Sequence, residues 1–338
     1  MKKTSVSIRI LALLLSLFAC VPLVSCSPGQ KKHTETYFDY FDTFCTLTVY
    51  SSKKDFEKYN GIFISELETC HKMLDVYNTY EGMTNLCSLN DNAGKEALAV
   101  SDELFAFLEK SVLLYELTDG YTSITMGAVT SLWKNAIEDK TLPDENDLAD
   151  AAKHTTLSVL SLDANAKTVR ITDAAASLDA GALAKGYAGD RIRTALIEAG
   201  CESFLINLGG NLTAHGEKPD GSAFVGAIDD PLTQSPLNAS LHLSDMTLST
   251  SGSYHRGFEE GGRRYHHIID PYTHAPQNIY VSVSVLCSDG ITADALSTAL
   301  FSMSYDRARS FADELANTEA VWIFADGSVK STSGITLN

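Results

Sequence analysis

Ser158-Val-Leu-Ser-Leu-Asp-Ala-Asn-Ala-Lys-Thr-Val-Arg-Ile-Thr172 contains two short β-prone runs, Ser158 to Leu162 and Thr168 to Thr172, around the turn residues Asp163-Ala-Asn165. So short a connection makes an antiparallel hairpin and leaves no room for the crossover that a parallel pair requires. Downstream, Asp179 to Gly189 leads into a helix over Arg191 to Ala199, and Phe204-Leu-Ile-Asn207 is a strand ended by Leu208-Gly209-Gly210-Asn211. Further strands are predicted at Phe224 to Ile228, Ala239 to Leu243, Met246 to Ser249, Val281 to Leu286 and Ala320 to Phe324, with helices over Thr292 to Met303 and Arg307 to Leu315. Upstream, Phe44 to Tyr50 alternates as a strand and Asp55 to Tyr77 carries apolar residues at helical spacing. Asn78 to Asn92 is polar and is expected to be loop. Ser101-Asp102-Glu103 opens a helix to about Leu117 by its cap and acidic first turn, and Pro143 to Lys153 predicts a capped surface helix. Hairpins mixed with helices predict an α+β fold, one large domain of largely antiparallel sheets with packed helices. Neither GxGxxG nor GxxxxGK[ST] occurs at these turns, so neither a Rossmann fold nor a P-loop is supported.

The N-terminus predicts where the chain works. Met1-Lys-Lys and Arg9 precede the apolar run Ile10 to Ala19, a signal-peptide pattern too short to span a bilayer as a mature helix. Leu23-Val-Ser-Cys26 resembles a bacterial lipobox, which predicts a signal peptide over 1–25 and a lipid on Cys26. The alternative is an ordinary signal peptide with an incidental cysteine. Residues 26–36 are then the lipidated cysteine and a polar tether, and 37–338 the folded domain. Such a protein is anchored to the cell membrane by acyl chains and faces outside the cytoplasm.

The formal charge is −17, and cleavage before Cys26 would remove three basic residues and no acid, leaving −20. A chain this acidic lacks the basic surface that nucleic acid demands. Hydrophobic residues make up 44% of the sequence, ample for a large core. Of seven cysteines, Cys45, Cys70, Cys87, Cys201 and Cys287 remain in the mature domain. Their odd number and the lack of a CxxC pair argue against zinc and against a disulfide framework, so they are expected to be mostly small core residues.

Three polar segments carry the chemistry. On a helix, Asp294, Ser297 and Thr298 share one face while Ala295, Leu296, Ala299, Leu300 and Met303 cover the other. Asp294 and Thr298, one turn apart, can aim oxygens at one magnesium ion; the alternative is a solvated stripe on an amphipathic helix. Asp179-Ala-Gly-Ala-Leu-Ala-Lys185-Gly186 offers glycines that bring the backbone close to a ligand and a lysine for a phosphate; the alternative is a loop with a solvated lysine. His266-His267-Ile-Ile-Asp270-Pro271 offers a base active near neutral pH, or a structural histidine beside a turn. A transition-metal site there lacks further nearby ligands. Together the segments suit a magnesium-dependent phosphate enzyme.

These segments, taken together, resemble the ApbE family of FAD:protein FMN transferases. The resemblance rests on Asp179-Ala-Gly-Ala-Leu-Ala-Lys-Gly-Tyr-Ala188, Phe204 to Asn211, Ser249-Thr-Ser-Gly-Ser-Tyr254, His267-Ile-Ile-Asp-Pro-Tyr-Thr273 and Ala293-Asp-Ala-Leu-Ser-Thr-Ala299, in that order. It implies an ApbE-like domain that cleaves FAD at its pyrophosphate, joins FMN to a threonine of a target flavoprotein through a phosphoester, and releases AMP. It also implies magnesium on Asp294, Thr298 and the backbone oxygen of Ala182, with Ser297 beside them. FAD is implied at Phe41, Tyr80, Thr125-Met126-Gly127, Asp179, Lys185 and Ile268. Phe41 and the segment Tyr77-Asn-Thr-Tyr80 depart from the commoner family residues. The implied partners are flavin-carrying subunits of Rnf- or Nqr-type complexes, or extracellular flavoprotein reductases.

Physical chemistry then assigns roles: Lys185 and magnesium neutralise phosphate charge, and His267 takes the threonine proton. The alternatives are an FAD pyrophosphatase, with water as nucleophile, and a non-catalytic FAD-binding lipoprotein.

Overall fold

Eight strands of one sheet succeed one another across it in the same order as along the chain. They are β1 (Lys31–Tyr40), β2 (Thr43–Ser51), β3 (Phe204–Leu208), β4 (Asn211–His215), β5 (Thr247–Gly252), β6 (Tyr280–Cys287), β7 (Glu319–Phe324) and β8 (Val329–Ser331). Every neighbouring pair is antiparallel. The computed structural model describes residues 30–237 and 241–337. The apolar run, Cys26 and the first part of the expected tether therefore lie outside the described residues, as do Ala239 and Ser240 of one expected strand.

The functional elements are insertions between the strands. The connection from β2 to β3 holds α1 (Lys53–Leu74), α2 (Asp102–Leu117), α3 (Gly127–Asp139) and α4 (Ala184–Glu198), and the connection from β6 to β7 holds α5 (Gly290–Ser302) and α6 (Tyr305–Glu314). The hairpin of Leu160–Asp163 and Thr168–Ile171 forms as expected, with Asp163 Oδ1 accepting the N–H groups of Asn165 and Ala166 at 2.9 and 3.0 Å. α1 starts at Ser52, which caps Asp55 N–H and donates to its carboxylate at 2.7 Å.

Strand alternation sorts the core. Val283, Val285, Ala320 and Trp322 face α5 and α6, while Leu248, Val321 and Ile323 face Phe224, Leu241 and Leu243 on the opposite side. From Lys31 onward the chain forms one compact unit, an α+β domain with a largely antiparallel sheet. The five described cysteines are free and buried. Burial pushes the thiols of Cys45 and Cys70 up to about 12, which suppresses their reactivity.

Two expectations need correction. The tether does not extend to residue 36, because Lys31–Tyr40 pairs with β2, aided by hydroxyl contacts Thr34–Thr48 (3.0 Å) and Thr36–Thr46 (2.8 Å). Edge strands are exposed along one side and tolerate Lys and Glu, so their sequence resembles a linker. The expected loop over Asn78 to Asn92 contains a helix at Leu86–Asp91, capped by Asn85 and burying Leu86, Cys87 and Leu89. One cap and three apolar side chains suffice where tertiary packing covers them.

Candidate active site

Two helices cross at glycines. A Cβ on Gly186 of α4 would lie 2.3 Å from the carbonyl oxygen of Gly290 in α5, so only glycine allows this approach. The contact brings Gly186 N–H to Asp294 Oδ2 at 3.0 Å. Asp190, one turn further on α4, accepts the N–H groups of Gly290 and Ile291 at 2.9 Å each, which ties down the start of α5. Burial raises the Asp190 carboxyl above its usual range, and Arg193, 2.9 Å away, together with those N–H groups offsets part of the rise. In a regular helix Gly186 N–H would bond the carbonyl of Ala182, four residues back. Asp294 takes that donor instead, and the Ala182 oxygen receives no other hydrogen bond among the described residues.

Asp294, Ser297 and Thr298 do share a face, but it is not a solvated stripe. Asp294 is 4% exposed and Ser297 0%. The face is turned onto β5, where Ser249 Oγ donates to Asp294 Oδ1 at 2.8 Å and Ser251 Oγ lies 2.8 Å from Ser297 Oγ and 3.2 Å from Thr298 Oγ1. Lys185 Nζ stands 3.8 Å from Asp294 Oδ2. Among the described residues no group of three or more His, Cys, Asp and Glu forms a metal cluster. The cluster here is one carboxylate with hydroxyl and carbonyl oxygens, hard donors of the kind magnesium prefers.

The two histidines separate by environment. His266 is fully buried; its Nε2 meets the Gln277 carbonyl at 2.8 Å and its Nδ1 accepts Ile268 N–H at 3.2 Å. Burial pushes it down to about 4, and both nitrogens are spoken for, so it is structural. His267 is exposed, between the buried His266 and Ile268. Neighbouring atoms that desolvate the ring, then His266 and the cations Arg256 and Lys185, push it down to about 4. Its Nδ1 faces the Arg256 carbonyl at 3.4 Å, the tautomer that leaves the Nε2 lone pair free to accept a proton.

Asp179 accepts from Thr130 Oγ1 (2.7 Å), Lys134 Nζ (2.9 Å) and Gly181 N–H (2.8 Å). Burial alone would raise its carboxyl, but Lys134 and these hydrogen bonds more than compensate and hold it below the usual range. Lys134 also lies over the ring of Tyr77 at 5.3 Å. Tyr77 N–H and Tyr80 OH both bond Asp75, each at 2.7 Å, so contacts run from Tyr80 through Asp75, Tyr77 and Lys134 to Asp179. Phe41 sits in the two-residue turn between β1 and β2, with positive φ at Phe41 (54°) and Asp42 (51°), and its ring meets His71 edge-on at 5.7 Å. His71 and Lys72 adjoin at the end of α1, and Lys72 lies 5.6 Å from the Tyr80 ring centroid. Phe41 and Tyr80 are therefore linked through the end of α1.

Four other expected FAD positions have little side chain to offer. Thr125 is fully buried and gives its hydroxyl to the Thr155 carbonyl at 2.6 Å, and Met126 packs in the core. Gly127 starts α3 where a Cβ would lie 2.5 Å from Ser177 Oγ. Ile268 is buried, and its N–H is taken by His266. Any ligand contact by these residues is through the backbone. Sequence reasoning gave no role to Ser249, Ser251, Asn211, Thr130 or Lys134. Thr130 and Lys134 were detectable as an i, i+4 pair, and Ser249 and Ser251 as alternate strand positions on one face.

Residues 41–322 match the model of the ApbE family. Over 310 residues the chain is 32% identical to an FAD:protein FMN transferase of Treponema pallidum, covering 87% of this chain and 85% of the relative. Another FAD:protein FMN transferase, from Haemophilus influenzae, is 28% identical over 335 residues, with 96% and 93% covered. The apo crystal structure of the flavinyl transferase ApbE of Pseudomonas stutzeri superposes with a TM-score of 0.78 at 26% identity over 90% of this chain and 95% of that one. The ApbE protein of Thermotoga maritima superposes at 0.82 over 90% and 98%; its 24% identity speaks for the fold alone.

Proposed function

The chain belongs to the ApbE family, and on that premise we propose that it is an FAD:protein FMN transferase whose phosphoryl-transfer site is the cluster around Asp294. The observation that carries the assignment is the meeting of Asp294 with Lys185 and Gly186 N–H at the α4–α5 crossing, beside the hydroxyls of Ser297 and Thr298.

In the proposed reaction a threonine hydroxyl of the acceptor protein attacks the FMN phosphorus of FAD. The new bond is threonine oxygen to phosphorus; the bond broken joins that phosphorus to the bridging oxygen, which leaves with AMP. Asp294, Thr298 and the Ala182 carbonyl would hold a magnesium ion, with Ser297 beside them. Bound there, the ion supplies Lewis-acid neutralisation of the phosphate oxygens. Lys185 adds a point charge to the same oxygens. His267, neutral at pH 7 with a free nitrogen, takes the threonine proton. Asp179, Phe41, Tyr80 and the backbone at Thr125–Gly127 and Ile268 position the remainder of FAD.

The lipobox-like Leu23-Val-Ser-Cys26 supports a lipid anchor and work outside the cytoplasm. The acceptor is then a flavin-carrying domain exposed there, of the Rnf, Nqr or flavoprotein-reductase kind. The test is mass spectrometry of such a threonine-bearing domain after incubation with the protein, FAD and magnesium. A gain of one FMN, lost with EDTA, supports the proposal. Free FMN and AMP beside an unmodified acceptor would assign a pyrophosphatase instead, and intact bound FAD a carrier.

A further inference from the structure

We propose that Ser249 and Ser251 of β5, with Asn211 of β4 behind them, are positioning residues that fix the direction of the oxygens offered to the cation. The proposal rests on the reading of the Asp294 cluster as the cation site. Strand periodicity places Ser249 and Ser251 on one face, turned onto α5.

A serine or threonine hydroxyl has one proton, and its direction follows from what each neighbour can accept. A carboxylate only accepts, so the Ser249 proton points to Asp294 Oδ1 at 2.8 Å. Ser249 Oγ must then accept from Asn211 Nδ2 at 3.3 Å. This fixes the amide of Asn211, which is 2% exposed and whose Oδ1 has no partner. A carbonyl also only accepts, so Ser297 gives its proton to the Asp294 carbonyl at 2.9 Å. Ser251 therefore donates to Ser297 Oγ at 2.8 Å, and Thr298 donates to Ser251 Oγ at 3.2 Å.

The donors run in one direction, from Thr298 to Ser251 to Ser297 to the helix backbone. With its proton committed to Ser251, Thr298 Oγ1 turns its lone pairs away from the strand and toward a cation. Helical threonines ordinarily donate to the carbonyl four residues back. For Thr298 that carbonyl belongs to Asp294 and already holds the Ser297 proton. Outer partners of this kind are worth roughly 10- to 100-fold in metal affinity.

The experiment is titration of the purified full chain with Mn2+ in the presence of FAD, following free Mn2+ by EPR. Ser251→Ala is expected to weaken Mn2+ binding by about tenfold, with recovery in Ser251→Thr, which restores the hydroxyl. FAD binding measured without metal stays at the level of the unaltered protein. Asp294→Ala serves as the reference. If Asp294→Ala loses Mn2+ while Ser251→Ala binds as the unaltered protein does, the positioning role is wrong and the site reading stands. If Asp294→Ala keeps full affinity, the site reading fails and this proposal with it. Should Ser251→Ala not fold, Ser249→Ala tests the Asp294 oxygen by the same titration, and unchanged affinity there overturns the proposal.

Discussion

The proposed cation end and the proposed aromatic end of the candidate site are built differently. Around Asp294, the functional oxygens are held by two packed helices and a central strand, and Asp294 and Ser297 are almost wholly buried. Around Phe41 and Tyr80, the residues come from a strained turn and a loop, and Tyr77 is 67% exposed. Charge development in phosphoryl transfer tolerates little displacement, so its ligands belong on rigid elements. An extended ring system is gripped by area, which loops supply at lower precision. The same contrast appears in the sequence, where the cation end matches the family segments and the aromatic end departs from them.

Asp294→Ala tests the rigid end most severely. It removes the one carboxylate of the cluster and is expected to lower magnesium-dependent transfer by about a thousandfold or more, ~4 kcal/mol of transition-state stabilisation. Single-turnover transfer to the acceptor measures it, and activity within threefold would show that the Asp294 cluster does not hold the cation. His267→Ala follows, at roughly 10²- to 10⁴-fold in turnover, without loss of Mn2+ binding. A His267 variant with full turnover at saturating FAD and magnesium excludes it as the base.

Gly186→Ala asks whether the helix crossing is as tight as the oxygens require. Its methyl group meets the Gly290 carbonyl, and overpacking of this kind costs about 1–3 kcal/mol. Urea unfolding should report that loss, together with weaker metal binding as Asp294 shifts. An alanine tolerated at no cost would show that α4 and α5 can separate freely.

The two histidines also give the protein an acid-sensitive stability. Their folded values lie near 4 against 6.5 in the unfolded chain, so between these values the unfolded state holds more protons. Stability should therefore fall as pH drops below about 6.5, and the loss should level off once pH passes below about 4. Replacing the exposed His267 by Gln should flatten part of that slope in pH-dependent denaturation, and an unchanged slope would assign the effect elsewhere.

The smallest effect is expected at the aromatic end. Tyr80→Phe removes the hydroxyl from Asp75, which keeps its bonds from Tyr77 N–H and Asn78. The expected change is a threefold to tenfold rise in KM for FAD with kcat retained, about 1 kcal/mol. A collapse of kcat would mean that the two ends are mechanically coupled.

Helical spacing alone put Asp294, Ser297 and Thr298 on one face, because an α-helix has a fixed period. The Ser158–Thr172 hairpin was equally legible, because turn residues between two β-prone runs leave the backbone few choices. The edge strand at Lys31 was not, since one-sided pairing imposes no apolar alternation. Nor could spacing tell whether the Asp294 face met solvent or β5. Only packing decided that, by turning the face onto β5, where Asp294 meets Ser249 and Ser297 and Thr298 meet Ser251.

His266 and His267 show the same division. As neighbours of identical chemistry they are indistinguishable in the sequence. Burial and two committed nitrogens make one structural, and an exposed ring with a free nitrogen leaves the other available for a proton. The sequence by itself determined most of the elements and which groups can carry charge, because periodicity and side-chain chemistry are local. The tertiary structure decided which of those groups meet and which keep a free lone pair, because hydrogen-bond partners and desolvation come from residues far away in the chain.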